Sequence, residues 1–374
     1  MSGAVNGIGL GEAILKTKDA QTSESHSKSL GVTDFDAALT HLFDWIHGQS
    51  QRYPLTAIGH RVVHGGPQYA ETELISAEMI VELKRISPFD PLHLPVQIRL
   101  IEEVGSSLGG IPQFASFDTA FHKDLPTVSR LLPLPRSYEK AGIRRYGFHG
   151  LSYRFLLTEI ETSFGLEAAR GRLILAHLGN GASLSAVKDG RSIDTSMGFT
   201  PAGGVPMSTR SGDLDPGILT YLAQQPGWDG KHLDRLVNAH SGLLGISETS
   251  ADMEQLLKAE DDDSRAADAV DIFCYHIKKT IGAYSAALGG IDRIVFTGGM
   301  GQEAPKIRTR ITSGLSYLGI EIDPMRNNAN DRTISSYSSR VSVHVVPTDE
   351  ALTIARDLVQ LSPDLTNHKT ESTR

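Results

Sequence analysis

The sequence predicts an α/β protein, and three observations predict it. Short apolar runs of strand character alternate along the chain with segments of helical period. Several of those runs end in paired or near-paired glycines: Gly65-Gly66, Gly179-Asn180-Gly181 and Gly298-Gly299. Groups able to bind or react stand at the same strand ends, where open α/β sheets commonly hold ligands. The 374 residues exceed one ordinary core and fit two or three domains. With 40% hydrophobic and 21% charged residues, the chain is not globally disordered.

Taken in order, the start is Gly-rich and short of strong pattern, apart from a strand-like Ala13–Lys16. Asp19 to Ser29 is polar and reads as an exposed loop or hairpin tip. From Thr33, the apolar positions Phe35, Leu39, Leu42, Phe43 and Ile46 recur at helical spacing. Ala57–His64 reads as a strand, and Ile111–Phe117 as another running into Asp118. Arg172–Leu178 and Ser183–Val187 are strands flanking a glycine turn, with a second turn at Asp189-Gly190. Asp271–Leu288 is a long amphipathic helix stopped by Gly289-Gly290. Arg293–Thr297 is a strand, and Pro305 stands near a helix start. Val341–Val346 is the last strand, and Thr348 is placed to cap the helix Ala351–Leu361. The tail from Ser362 is polar and expected to fray.

Charge and composition narrow the function. The net charge of −8 argues against nucleic-acid binding as a main task, though not against a local basic pocket. Cys274 is the sole cysteine, which excludes an intrachain disulfide and a Cys-based metal cluster. No apolar run approaches the roughly 18–20 residues of a membrane span. Met1 to Lys16 lacks the basic start of a secretory signal, so a cytoplasmic protein is expected.

Some motifs carry chemistry. On the Ala57–His64 strand, His60 and His64 stand about 13 Å apart, too far for one metal ion. The same period of two places Arg61 and Val63 on one face, a cation beside an apolar wall that suits a small carboxylate or phosphate. Asp118 lies among aromatic residues at a strand end, either a cap or a functional carboxylate. Arg144 to Gly150 packs cations, an aromatic and His149 between glycines. His177 to Ser183 reads as a plain hairpin turn or as a phosphate loop in which Asn180 and Ser183 add donors. It is neither a Walker A loop nor a GxGxxG fingerprint. Asp194 to Gly217 is long and rich in Gly, Pro, Ser and Thr, and holds Arg210 with Asp213 and Asp215 placed to orient it. Gly298-Gly299-Met300-Gly301 is a second candidate nucleotide loop. Asp349-Glu350 either complements a helix dipole or supplies a carboxylate for Mg²⁺.

Together these stretches resemble the acetate kinase family, within the larger group of acetate and sugar kinases, Hsp70 and actin. The matching pieces are GHRVVHGG, PLHLP, FDTAFH, RRYGFHGLSY, LAHLGNGASL, DTSMGFTPAGGVPMSTRSGDLDPG, FTGGMGQ and PTDEALTIARD, in family order. The resemblance implies two actin-like (ribonuclease H-like) domains, with an active-site cleft between them. The expected division is 1–147 plus 350–374 and 148–349, the latter binding nucleotide. It implies a cytoplasmic homodimeric transferase. This enzyme would move a phosphoryl group reversibly from ATP to acetate, giving acetyl phosphate and ADP with Mg²⁺.

Carried over by position, the resemblance gives Asp118, His149 and Arg210 catalytic roles. Arg61 would join Arg210 on the carboxylate and the phosphoryl group, with His93 nearby. Val63, Leu92, Phe148 and Pro201 would wall the acetate methyl. His177, Leu178, Gly179, Asn180 and Gly181 would meet the ATP phosphates. Asp252, Met253 and Glu254, with Gly299, Met300, Gly301, Gln302 and Glu303, would hold the nucleoside, and Glu350 would serve Mg²⁺. Propionate or butyrate remain alternative acceptors. GGMGQE in place of the family's GGIGEN, and Glu254 in place of an arginine in some members, leave both ATP and pyrophosphate open as donor. Family members also open with a strand and a Gly-Ser-Ser-Ser turn that nothing here matches. The expectation is a shortened first domain, Ala13–Lys16 without strand neighbours, and an impaired kinase or a binding homologue.

Overall fold

The computed structural model describes residues 1–8, 11–19, 22, 24–50 and 52–361. The tail from Ser362, expected to fray, lies outside them. The chain forms two compact units, one of residues 1–58 with 100–113 and the other of 59–99 with the remainder.

In the first unit, β1 (Ser2–Asn6), β2 (Ile14–Lys18) and β3 (Ser25–Ser29) form an antiparallel sheet in the order β1-β2-β3. Leu15 of β2 and Ala13 just before it meet Leu30 and Ala38, with Val5 and Trp45 against them. Helix α1 (Phe35–Ser50) carries Ala38 and is capped by Asp34, whose Oδ1 accepts from the Ala37 amide at 2.9 Å. Its second apolar face, Leu39 and Phe43, packs on Val104 and Leu108 at the end of α2 (Leu94–Ser107). Two expectations are corrected here. Asp19 to Ser29 is not all loop, because Ser25–Ser29 pairs with β2 through its backbone. Ala13–Lys16 does not lack neighbours, since β2 is bonded along both edges.

In the second unit, β4 (Ile58–Val62) lies beside β6 (Gln113–Phe117), whose other edge pairs antiparallel with the short β5 (Glu73–Leu74). A five-stranded sheet runs β11-β10-β7-β8-β9, from β7 (Leu173–Leu178), β8 (Ala182–Lys188), β9 (Arg191–Thr195), β10 (Arg293–Thr297) and β11 (Ser342–Val345). β11, β10 and β7 are parallel, and β8 and β9 continue antiparallel. β7 reads LILAHL because a central parallel strand is covered on both faces. On one face Leu173, Leu175, Val187 and Val295 pack against Tyr153, Leu156 and Ile160 of α3 (Gly150–Phe164).

The remaining helices set the site's edges. α4 (Met253–Ala259) is followed by α5 (Ser264–Leu288), which starts seven residues before the expected Asp271. α5 buries Cys274, and that burial pushes its thiol up to about 12. After β10 come α6 (Gly298–Glu303) and α7 (Pro305–Thr312), with Pro305 at the expected helix start. α8 (Glu350–Leu361) is capped not by Thr348 but by Asp349, whose Oδ1 accepts from the Leu352 amide at 2.8 Å. A carboxylate three residues ahead reaches that amide, whereas the Thr348 hydroxyl is buried with no partner among the described residues.

Candidate functional site

Adjacent strands bring the first charged pair together. Asp118 follows the end of β6, and its amide donates to the Val62 carbonyl of β4 at 3.0 Å. Its carboxylate accepts from Arg61 Nε at 3.0 Å and Nη2 at 2.7 Å, a two-pronged pair. Arg61 Nη1 lies 3.1 Å from Glu350 Oε2, at the start of α8. Burial alone would lower the guanidinium's pKa, but Asp118 and then Glu350 outweigh it and the net shift is upward. Burial pushes Glu350 up; Arg61 opposes this and the like charge of Asp118 adds to it.

The second cation is held differently. Arg210 lies in the irregular stretch after β9, where its carbonyl accepts from the Met207 amide at 3.0 Å. No carboxylate pairs with it among the described residues. Its Nη1 contacts the Pro201 carbonyl at 3.4 Å, and its Nη2 meets His93 Nε2 at 3.3 Å. His93 Nδ1 is 2.9 Å from the Oδ1 of buried Asp90. Burial lowers the Arg210 pKa; Asp90 opposes and Arg61 reinforces this. The expectation that Asp213 and Asp215 orient Arg210 is corrected. Asp213 accepts from the Gly204 amide at 2.7 Å, and Asp215 caps the following helix through the Gly217 amide at 2.8 Å.

His149 precedes α3 with a φ of 58° and lies buried against the β7–β8 turn. Its ring stacks on His177 at 4.1 Å, and its Nδ1 lies 2.8 Å from Ser183 Oγ, which also bonds the Tyr153 hydroxyl. Ser183 is therefore engaged and buried, which fits the plain-turn reading of this loop better than an open phosphate donor. His177 Nδ1 in turn meets Ser152 Oγ at 2.9 Å. Burial holds His149 well below the usual imidazole range, helped by His177, Arg61 and Arg210, and holds His177 at about 4. Both rings are neutral at pH 7. A Ser183 hydroxyl that donates to Nδ1 would leave the His149 proton on Nε2, and one that accepts there would leave it on Nδ1. A side chain at Gly181 would stand 3.3 Å from that Nε2 and 3.4 Å from Arg210 Nη1. Bare glycine keeps the space between them clear.

These groups line one cavity of about 610 Å³. Of the residues singled out in the sequence, Arg61, Val63, His93, Asp118, Phe148, His149, His177, Asn180, Gly181, Pro201, Arg210 and Glu350 line it. Leu92 does not; it is 48% exposed on the turn before His93. Gln97, Thr348, Asp349 and Ala351 complete the wall. Gln97 holds the Val63 amide at 2.9 Å. Neither Gln97 nor Asp90 stood out in the sequence. Asp90-x-x-His93 has the spacing of an ordinary helix-start turn, and only the burial of Asp90 and the contact of His93 with Arg210 set it apart.

The second glycine loop lies elsewhere on the same sheet edge. Thr297 of β10 is in register with His177 of β7, so the two loops leave adjacent parallel strands together. Gly298, with a φ of 76°, approaches so closely that a Cβ there would stand 2.6 Å from the Leu178 carbonyl. Gly299, Met300, Gly301, Gln302 and Glu303 form α6 rather than an open loop, and do not line the cavity. Asp252 caps α4 through the Glu254 amide at 2.8 Å, Met253 is buried, and Glu254 pairs with Lys258 at 2.6 Å. None of these three lines the cavity either.

The profile of the acetokinase family matches residues 1–356. An acetate kinase of Clostridium botulinum is 39% identical over 370 residues, covering 96% of this chain and 93% of its own. The crystal structure of Porphyromonas gingivalis acetate kinase superposes with a TM-score of 0.84 at 35% identity, covering 96% of this chain and 92% of that one. A propionate kinase from Francisella tularensis subsp. tularensis superposes at 0.85 with 33% identity, covering 96% and 99%.

Proposed function

The chain belongs to the acetokinase family, and from that premise we propose that it moves the γ-phosphoryl group of ATP reversibly to acetate. A carboxylate oxygen of acetate attacks the γ-phosphorus. The bond to the β–γ bridging oxygen breaks, ADP leaves with the electron pair, and no proton changes hands. Catalysis then rests on positioning and on charge in the transition state.

The observation that carries this reading is the unequal treatment of two arginines in one cavity. Arg61 is neutralised by Asp118 and Glu350, so it is a fixed, oriented donor with little net charge to give. Arg210 touches only neutral acceptors, so its charge is available to an incoming anion. Beside it, His149 Nε2 faces the same space at Gly181. A cation and an imidazole around bare backbone suit equatorial phosphoryl oxygens, which carry the spreading charge. Val63, Phe148 and Pro201 are the apolar wall for the methyl group of acetate.

The family implies Mg²⁺ with the nucleotide, and the cavity has suitable hard oxygen donors in Glu350 and the unpartnered Thr348 hydroxyl. Bound there with the substrate phosphates, the ion supplies further neutralisation of their charge. No group of three or more candidate ligands stands together among the described residues, as befits an ion held largely by substrate and water. The nucleoside would lie toward α6 and α4, the domain division would follow 1–147 with 350–374 and 148–349, and the assembly would be a homodimer. Propionate is a second acceptor to weigh, because a relative of the same fold is named a propionate kinase.

The test is acetyl phosphate formation by an Arg210→Ala variant of unchanged melting temperature. Turnover should fall by about 10³-fold, the scale at which arginines stabilise a transferring phosphoryl group. Turnover close to that of the unaltered protein would overturn the assignment. Parallel assays with propionate settle the acceptor.

A further inference from the structure

Arg210 owes its orientation to a relay through half-exposed His93 that ends in a buried residue, Asp90, outside the reacting centre. Its Nη2 reaches His93 Nε2 at 3.3 Å, and its other contacts, the Pro201 carbonyl at 3.4 Å and Met207 Sδ at 3.9 Å, are long. A guanidinium only donates, so His93 Nε2 must accept and must carry no proton. That fixes the proton of the neutral ring on Nδ1, where the Asp90 oxygens lie at 2.9 and 3.1 Å. Asp90 is itself immobilised. It is 3% exposed, its Oδ1 accepts from the His93 amide at 3.0 Å, and its carbonyl accepts from the Leu94 amide at 3.2 Å.

We propose that Asp90 is a positioning residue for the transfer reaction, holding His93 in the Nδ1–H tautomer that lets the ring accept from Arg210. The tautomer of a histidine is set by the bond its other nitrogen makes. Without an acceptor at Nδ1 the proton is free to move to Nε2. Two donors would then face each other, and the arginine would lose its best-placed partner. The division of labour follows. Arg61 is fixed by carboxylates bonded to it directly. Arg210 is fixed by a carboxylate one imidazole away, which spares its charge for substrate. The kinetic part of this inference rests on the phosphotransferase reading, and the tautomer part does not.

The experiment compares Asp90→Ala and Asp90→Asn in the full-length protein. Asparagine keeps an oxygen acceptor for Nδ1–H without the charge, whereas alanine removes it. The first readout is the ring ¹⁵N spectrum of His93 without ligand. The unaltered protein and Asp90→Asn should show Nδ1–H, and Asp90→Ala should shift toward Nε2–H. The second is steady-state kinetics. Asp90→Ala should lower kcat by roughly 10–100-fold, the cost of misplacing a group that acts in the transition state, with less effect on the KM for acetate. Asp90→Asn should recover most of that loss. An Nδ1–H signal retained in Asp90→Ala would overturn the proposal whatever the activity. An altered tautomer with unchanged kcat would overturn its role in transfer. Should Asp90→Ala fail to fold, His93→Gln replaces it in the kinetic arm and must show the same kcat-dominated loss, while the unaltered protein alone decides the tautomer.

Discussion

Gly181 shows how one absent side chain shapes the site. It stands in the β7–β8 turn, and nothing in its backbone demands glycine, since it is not among the residues with positive φ. Its value is spatial, because a methyl group would stand 3.3 Å from His149 Nε2 and 3.4 Å from Arg210 Nη1. Gly181→Ala should leave the melting temperature within a degree or two while lowering kcat/KM roughly tenfold or more, because the methyl occupies space meant for a phosphoryl oxygen. Kinetics and melting curves on the same preparation check this, and unaltered kcat/KM would place the phosphoryl group elsewhere. At this scale the site was partly legible. Arg61, Asp118, His149 and Arg210 stood out because cations and carboxylates beside glycines at strand ends are unusual. Asp90 did not, because its meaning comes through His93, which meets Arg210 of a loop more than a hundred residues later. Ser183 left two readings open because a hydroxyl in a turn looks open until the ring and the phenol that occupy it are seen.

Among the elements, α6 depends most on a group outside itself. Arg308 of α7 is fully buried, and its Nη1 donates to the carbonyls of Gly301 at 2.9 Å and Gln302 at 2.7 Å, near the negative end of α6. The rest of its fork is spent on Asn327 and Asn330, all neutral acceptors. Burial lowers its pKa to about 10, which still leaves it charged at neutral pH. A lysine offers three donors and no planar fork. Arg308→Lys should therefore cost about 3 kcal/mol or more of stability through buried carbonyls left unpaired, measured by urea unfolding. A loss below about 1 kcal/mol would show that the fork is dispensable. Strands with continuous apolar runs, such as β7 and β10, were legible. β3 was not, because Ser25–Ser29 exposes every side chain and is held by backbone bonds that leave no hydrophobic period.

For the molecule as a whole, burial of histidines decides the response to acid. His64, His122, His177 and His344 are each held at about 4 by burial, against 6.5 when the chain is unfolded. A base whose folded pKa is depressed contributes stability that is complete above the unfolded value and is lost as pH falls toward the folded one. The window is therefore about pH 6.5 down to 4, above the range where most carboxylates titrate. By pH 5 each such ring withdraws on the order of 1–2 kcal/mol. The melting temperature should fall by several degrees between pH 6.5 and pH 5 and more steeply below. A flat profile over that interval would mean the rings are hydrated in solution. The composition of 14 histidines could not foretell this, since burial is a property of the fold. The same enclosure governs Cys274, the chain's sole thiol, 3% exposed in the middle of α5. While α5 stays in place, an alkylating reagent has nothing to attack, because the sulfur is shielded and remains protonated. Each modified molecule thus marks one opening of that helix, and the rate of alkylation becomes a clock for the innermost motion of the protein, built in without any label.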